Sequence, residues 1–157
     1  ARLNRSSAIS YALMDRSDDA ERHLAKAHDG WAPPDAYNRG GIDLAIAAVQ
    51  LDLHRLEPAQ TFAASAVRAF GDGYGRNRTM AELMLAEVYV RAGEPRGLAL
   101  TRQAIDAVSA LQSIAVQRER LDPLIAALEA RPGADARELA RLARQVAAGG
   151  PQRPVQR

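Results

Sequence analysis

The sequence predicts an all-α protein, a superhelical stack of antiparallel helix pairs with about seven to eight helices in total. Three observations support this fold class. Apolar residues recur at steps of three and four along most of the chain, which is the spacing of one helix face. The composition is 47% hydrophobic but only 4% aromatic, so small aliphatic side chains must form the core and let helices approach closely. Finally, similar positions recur every 39 residues.

The clearest helix pair spans residues 75–111. Two amphipathic helices flank a turn at residues 91–95, which reads Arg-Ala-Gly-Glu-Pro. A pair of this size buries too little apolar surface to be stable alone, so it requires neighbouring pairs. Its apolar positions are Met80, Leu83, Met84, Val88 and Tyr89 in the first helix, and Leu98, Ala104, Ile105, Val108 and Leu111 in the second.

The same periodicity predicts helices on both sides of this pair. Asp18 and Glu21 have the spacing of a capping box at a helix start. Two consecutive prolines require a loop at residues 31–35, and Pro123 predicts a break or a kink, with Asp122 as a cap. The other predicted helices cover residues 2–15, 18–30, 37–54, 57–71, 113–131 and 135–148. They form one domain over residues 1–148, and the tail over 149–157, with two prolines and no apolar periodicity, is predicted to be disordered.

Composition narrows the function classes. A net charge of +2 is too small to imply nucleic-acid binding by itself. Cysteine is absent, which excludes a disulfide framework and thiol chemistry and favours a cytoplasmic protein. No segment is long and apolar enough to span a bilayer, so no membrane partner is expected. The first residue is not methionine, which indicates either removal of the initiator or a position within a longer polypeptide.

The 39-residue repeat relates several columns of the sequence. Asn38-Arg39 matches Asn77-Arg78 at the start of two first helices. The same step relates positions within both helices of a pair, so the agreement is not confined to one column. The matching sets are Ala8, Ala47 and Ala86; Ala20, Ala59 and Leu98; and Ala27, Ala66 and Ile105.

These small residues, together with Tyr11, Tyr89 and Leu24, stand where tetratricopeptide repeats keep their packing residues. The chain therefore resembles a tetratricopeptide-repeat domain, although that family repeats at about 34 residues. It departs from the family pattern because no tryptophan lies near the start of a first helix, and because Gln50 stands in the tyrosine position of the second unit.

A narrower resemblance covers the second half of the chain. Residues 75–108, followed by 113–128 with Arg-Glu-Arg-Leu at 118–121, resemble the C-terminal sensor region of actinobacterial helix-turn-helix transcriptional regulators of the XRE type. This resemblance implies a regulatory domain that senses a ligand or a partner. It also implies that DNA is contacted only through a domain that would precede Ala1, because no recognition helix is visible in this sequence.

The tetratricopeptide resemblance implies a concave groove lined by the first helix of each pair. An apolar floor with isolated charges suits a protein partner that contributes an extended peptide or an amphipathic helix. The implied groove positions are Arg5, Ile9, Leu44, Ala48, Asp52, Leu83, Glu87 and Arg91. Arg39 and Arg78 have two interpretations, contacts at the groove rim or local ion pairs with the acidic residue four positions further on. The second interpretation is favoured, and the acidic residues concerned are Asp43 and Glu82.

No pattern assembles a nucleophile, a general base or a metal site, so we expect no catalysis, no cofactor and no metal. The three histidines lack the i, i+4 spacing of a helical metal site. The glycines at residues 71–75 follow a helix rather than a strand, and the lysine of a phosphate loop is absent, so a connector is predicted there. The histidines are His23, His28 and His54.

Two surface features have open interpretations. Arg137, Arg141 and Arg144 form a stripe along the last helix, which is either a solvated face or a phosphate contact. Four apolar residues either close a homodimer or cap the stack. These four are Leu121, Leu124, Ile125 and Leu128. Two function classes remain: a sensing domain of a transcriptional regulator, and a general protein-binding scaffold unconnected with transcription.

Overall fold

The structure, a computed structural model, describes residues 17–29, 36–111 and 114–149. These residues form seven α-helices and a short 3-10 turn, with no β-strand among them, which confirms the predicted all-α class. The helices are α1 (Ser17–Asp29), α2 (Ala36–Asp52), α3 (Leu56–Phe70), α4 (Gly75–Arg91), α5 (Arg96–Ala110), α6 (Ile114–Ala130) and α7 (Ala134–Ala147), and the 3-10 turn is Asp72–Tyr74.

Most predicted helix boundaries agree with the structure to within two residues. The connector predicted at the glycines after α3 contains the 3-10 turn, and Gly71 has a φ of 52° there. The helix predicted over residues 2–15, the loop predicted over 31–35 and nearly all of the predicted tail lie outside the described residues. None of the helices that are described combines the length and apolar character needed to cross a membrane.

The break predicted at Pro123 is wrong, because α6 continues through this residue. A proline inside a helix removes one backbone hydrogen bond and costs about 3 kcal/mol. Leu121 and Leu124 flank the proline and are both fully buried. Packing of the helix on both sides of Pro123 therefore outweighs the local cost, and this could not be deduced from the proline alone.

Helix lengths reproduce the 39-residue repeat. The helices α2, α4 and α6 are each 17 residues long, and they begin at Ala36, Gly75 and Ile114, in steps of 39. The sequence columns had ended with the pair at 75–111, so the structure extends the repeat to the pair formed by α6 and α7. A superhelical arrangement of these pairs stays a prediction.

The chain divides into two compact units, Ala1–Ala81 and Glu82–Arg157. In the first unit α2 and α3 approach closely at Gly40, where an added Cβ would lie 2.8 Å from the ring of Phe70. Ser65 Oγ donates a hydrogen bond of 2.7 Å to Asp43 Oδ2, so the buried carboxylate has a partner on the neighbouring helix. Buried apolar residues form two clusters: Ala20, Ile46 and Val49; and Ala66, Phe70 and Ala81.

The second unit has one continuous core. Here α4 and α5 approach at Gly97, where an added Cβ would lie 2.8 Å from Val90 N and 2.9 Å from Tyr89 C. Thr101, fully buried, donates to the Gly97 carbonyl oxygen at 2.7 Å. The largest buried side chains of this core are Leu83, Ile105, Val108, Leu121, Leu124 and Leu128.

Candidate functional site

The predicted groove residues of the first unit occupy different environments. Leu44 is half-buried and packs against the cluster of Ala66, Phe70 and Ala81. Ala48 is half-buried, and Asp52 is exposed as the last residue of α2. Arg5 and Ile9 lie outside the described residues. Among the residues that can be placed in this unit, Asp52 has the most accessible side chain.

In the second unit the predicted groove residues run from the core to the surface. Leu83 is 1% exposed and lies in the core cluster, so its side chain contributes to packing. Glu87 is 6% exposed, and its Oε1 lies 2.7 Å from Nη2 of Arg91, whose side chain is 33% exposed. The structure thus brings Glu87 and Arg91 together as a partly buried ion pair at the end of α4. Binding of a partner by these residues stays a prediction.

Arg91 borders an open concavity in the surface, with a volume of about 450 Å³. We call it the α4–α6 concavity, because it lies between the C-terminal ends of these helices and the turns that follow them. Its floor is apolar and built from small side chains, and both of its charged residues are arginines. The lining residues are Val90, Arg91, Gly93, Ala126, Ala127, Ala130, Arg131 and Pro132.

The turn after α4 shapes one wall of the concavity. Gly93 has a φ of 74°, its N–H donates to Val90 O at 3.1 Å, and Glu94 N donates to Tyr89 O at 2.9 Å. These two bonds are those of a Schellman motif, in which the residue after the helix adopts a left-handed conformation that favours glycine. The helix therefore stops at a fixed point, which places Arg91 at the rim.

Contacts on the other side of this turn hold it in place. The guanidinium carbon of Arg96 lies 4.0 Å from the centre of the Tyr89 ring, a cation–π geometry. Arg96 also forms an ion pair with Glu94. The hydrogen bond to Glu94 raises the pKa of Arg96 above its ordinary value, so this arginine stays charged. Both contacts fix the backbone next to Gly93.

Arg131 joins the two turns of the concavity. Its Nη1 donates to the carbonyl oxygen of Glu94 at 3.0 Å, across 37 residues of sequence. The side chain is half-buried, and it follows α6 directly, where a cation is favoured by the negative end of the helix dipole. The bond positions the guanidinium over the alanines of α6.

Sequence reasoning missed the residues that α6 contributes to this site. Ala126 and Ala130 are exposed, and they follow Glu87 and Arg91 by 39 residues each. Extending the repeat by one more step would therefore have found both alanines. No sequence signal identifies Arg131, because its contribution depends on a hydrogen bond between distant turns.

The other candidate residues have local explanations. Arg78 pairs with Asp72 in the 3-10 turn. In the arginine stripe of α7, Arg144 pairs with Glu129, Arg137 Nε donates to Gly133 O at 3.2 Å, and Arg141 is exposed. Opposite them, Leu139, Ala143 and Val146 are buried, so α7 is an amphipathic helix with a solvated basic face.

The proposed dimer residues of α6 lie in the core of the second unit. Leu121, Leu124 and Leu128 are fully buried, and Ile125 is 8% exposed. These side chains therefore pack within the unit and do not present an exposed face to a second copy. A homodimer formed through other surfaces stays untested.

Histidines and acidic groups form no metal-binding arrangement within the part of the chain that the structure describes. His23 is half-buried, and His54 is exposed in the turn after α2. Comparison of the chain with known protein families, curated proteins and solved structures found no match.

Proposed function

We propose that this chain is a non-catalytic module that binds a segment of another protein on a helical-repeat scaffold. The observation that carries the proposal is the α4–α6 concavity, an open apolar surface bordered by two arginines that neighbouring groups hold in position. Such a surface suits a peptide, because apolar contacts supply area and a few charges fix orientation. The repeated helix pairs supply the rigid support.

Selection of random peptides displayed on phage against the full chain tests this proposal. We expect enriched binders, and we expect Arg91→Ala to weaken the strongest one about tenfold in calorimetric titration, the effect of losing more than 1 kcal/mol at an interface hot spot. Glu87→Ala should also weaken binding, because Arg91 would lose its support. Arg102→Ala, in an exposed ion pair of α5, is the matched control. If neither variant at the ion pair changes affinity, the site assignment is wrong, and if no peptide is enriched, the function is wrong.

We further propose that the module is the sensing part of a bacterial transcriptional regulator and that DNA is contacted by a domain outside this chain. The resemblance of residues 75–108 and 113–128 to such regulators supports this setting. A scaffold unconnected with transcription is the alternative. The reading frame upstream of Ala1 separates the two, because a helix-turn-helix segment there supports the regulator and a start codon immediately before Ala1 contradicts it.

A further inference from the structure

We infer that the α4–α6 concavity recognises a single acidic side chain flanked by apolar residues in the partner peptide. This inference rests on the proposed function and adds the chemistry of the partner. Arg91 and Arg131 are the two charged residues in the lining of the concavity. A carboxylate placed between them would meet charge-assisted donors on both sides.

The charges around the concavity favour one carboxylate rather than a more highly charged group. Glu87 balances Arg91, whereas the partner of Arg131 is a neutral carbonyl group. The nearby acids are also engaged, since Glu94 pairs with Arg96 and Glu129 pairs with Arg144. The lining with its ion-paired neighbours therefore has one excess positive charge. A carboxylate matches that charge, whereas a phosphate group carries almost two negative charges.

Arg131 is pre-organised for this contact. A guanidinium has five N–H donors in a fixed plane, and the bond from Nη1 to the Glu94 carbonyl uses only one of them. The bond also holds the half-buried side chain in place before any partner arrives, which lowers the entropic cost of binding. Arg131 is therefore the principal carboxylate contact, and Arg91 is the supporting one.

The floor specifies the residues next to the acid. Ala126 and Ala130 are exposed on one face of α6, and Val90 and Ala127 lie buried beside them. Small side chains on a helix leave space that a larger apolar side chain of a partner can fill. Because the concavity is open, it would cover little of a small molecule, whereas small-molecule sites enclose most of their ligand. A peptide is therefore the favoured occupant.

Blocked synthetic peptides test the inference. Each peptide enriched in the phage selection is made acetylated and amidated, with its acidic residue as Glu, Gln or phosphoserine. We expect the Glu form to bind about tenfold more tightly than the Gln form, the effect of a hydrogen bond to a charged group. Arg131→Gln should abolish this difference, and Arg131→Lys should retain part of it. Arg141→Gln, an exposed arginine of α7, is the control and should change nothing.

A second variant probes the floor and guards against misfolding. Ala130→Glu places a carboxylate at the floor of the concavity and should weaken acidic peptides about tenfold by repulsion and competition. Ala134→Glu, at an exposed position of α7, should have no effect, and circular dichroism shows whether each variant is folded. Binders without an enriched acidic residue, or a Glu preference that survives Arg131→Gln, contradict the inference but leave the proposed function intact. Tighter binding of phosphoserine would replace it with a phosphopeptide site.

Discussion

The turn after α2 and the turn after α4 have the same backbone hydrogen bonds but different residues at the left-handed position. After α2, His54 N donates to Leu51 O at 3.0 Å and Arg55 N donates to Gln50 O at 2.8 Å. After α4, the corresponding donors are Gly93 and Glu94. His54 has a φ of 58° and Gly93 a φ of 74°, and the two positions are 39 residues apart.

This difference shows that the repeat conserves a backbone geometry rather than a residue type. Glycine adopts a positive φ without cost, whereas another residue pays about 1 kcal/mol or more there. The helix contacts of the two units differ in a similar way, because Gly40 faces an aromatic side chain and Gly97 faces the backbone of α4. Substitutions at these four positions therefore separate adaptable contacts from rigid ones.

The largest effect is expected for Gly97→Ala. Its Cβ would meet Val90 N and Tyr89 C at less than 3.0 Å, and a helix backbone cannot move aside without disturbing the core. We expect a loss of about 2–3 kcal/mol in the free energy of unfolding, measured by urea denaturation. Hydrogen exchange should show the loss of protection in α4 and α5. An unchanged urea midpoint would show that these helices do not approach as described.

Gly40→Ala should have a smaller effect that can be rescued. The added Cβ would meet the ring of Phe70, which is 2% exposed and must shift within a packed core. We expect a cost of about 1–2 kcal/mol. In the background of Phe70→Leu the same substitution should cost less, because the clashing ring is gone. An equal cost in both backgrounds would mean that Phe70 is not the obstacle.

Gly93→His would place in the second unit the residue that the first unit has at this position. Because the left-handed conformation disfavours a residue with a Cβ, we expect a loss of about 1 kcal/mol in the free energy of unfolding. The variant also tests the binding site, since Gly93 lines the α4–α6 concavity. No loss of stability would show that this turn tolerates side chains as readily as the turn after α2 does.

His54→Gly is the reciprocal change and should produce the smallest effect. Relief of the positive φ is partly offset by the greater freedom of glycine in the unfolded chain. We therefore expect a gain of about 0.5 kcal/mol, read from the urea midpoint. His54→Ala is the control and should bring no gain, because alanine keeps the Cβ. Destabilisation by glycine would indicate that the imidazole makes a contact that outweighs the strain.

The helices were predictable because their apolar spacing depends only on local sequence. The boundaries of α4 and α5 follow from residues 75–111, and the turn between them contains a glycine and a proline. The path of α6 through Pro123 was not predictable, because the leucines that hold it are stabilised by helices distant in sequence.

Part of the site was also predictable. Arg91 was identified by its place in the repeat, and the structure puts it beside a concavity. The burial of Glu87 was not deduced, because a carboxylate enters a core only where a partner such as Arg91 balances it. The alanines of α6 look the same in sequence whether they face a core or solvent, so their exposure required the fold.

The hydrogen bond from Arg131 to Glu94 has a consequence for the order of folding. It closes a loop of 37 residues, so it can form only after α5 and α6 have packed between the two turns. A contact of this kind is absent from an early transition state and stabilises the native state alone. Its removal in Arg131→Ala should accelerate unfolding and leave the refolding rate almost unchanged. The concavity would then be the last part of the second unit to form and the first to open.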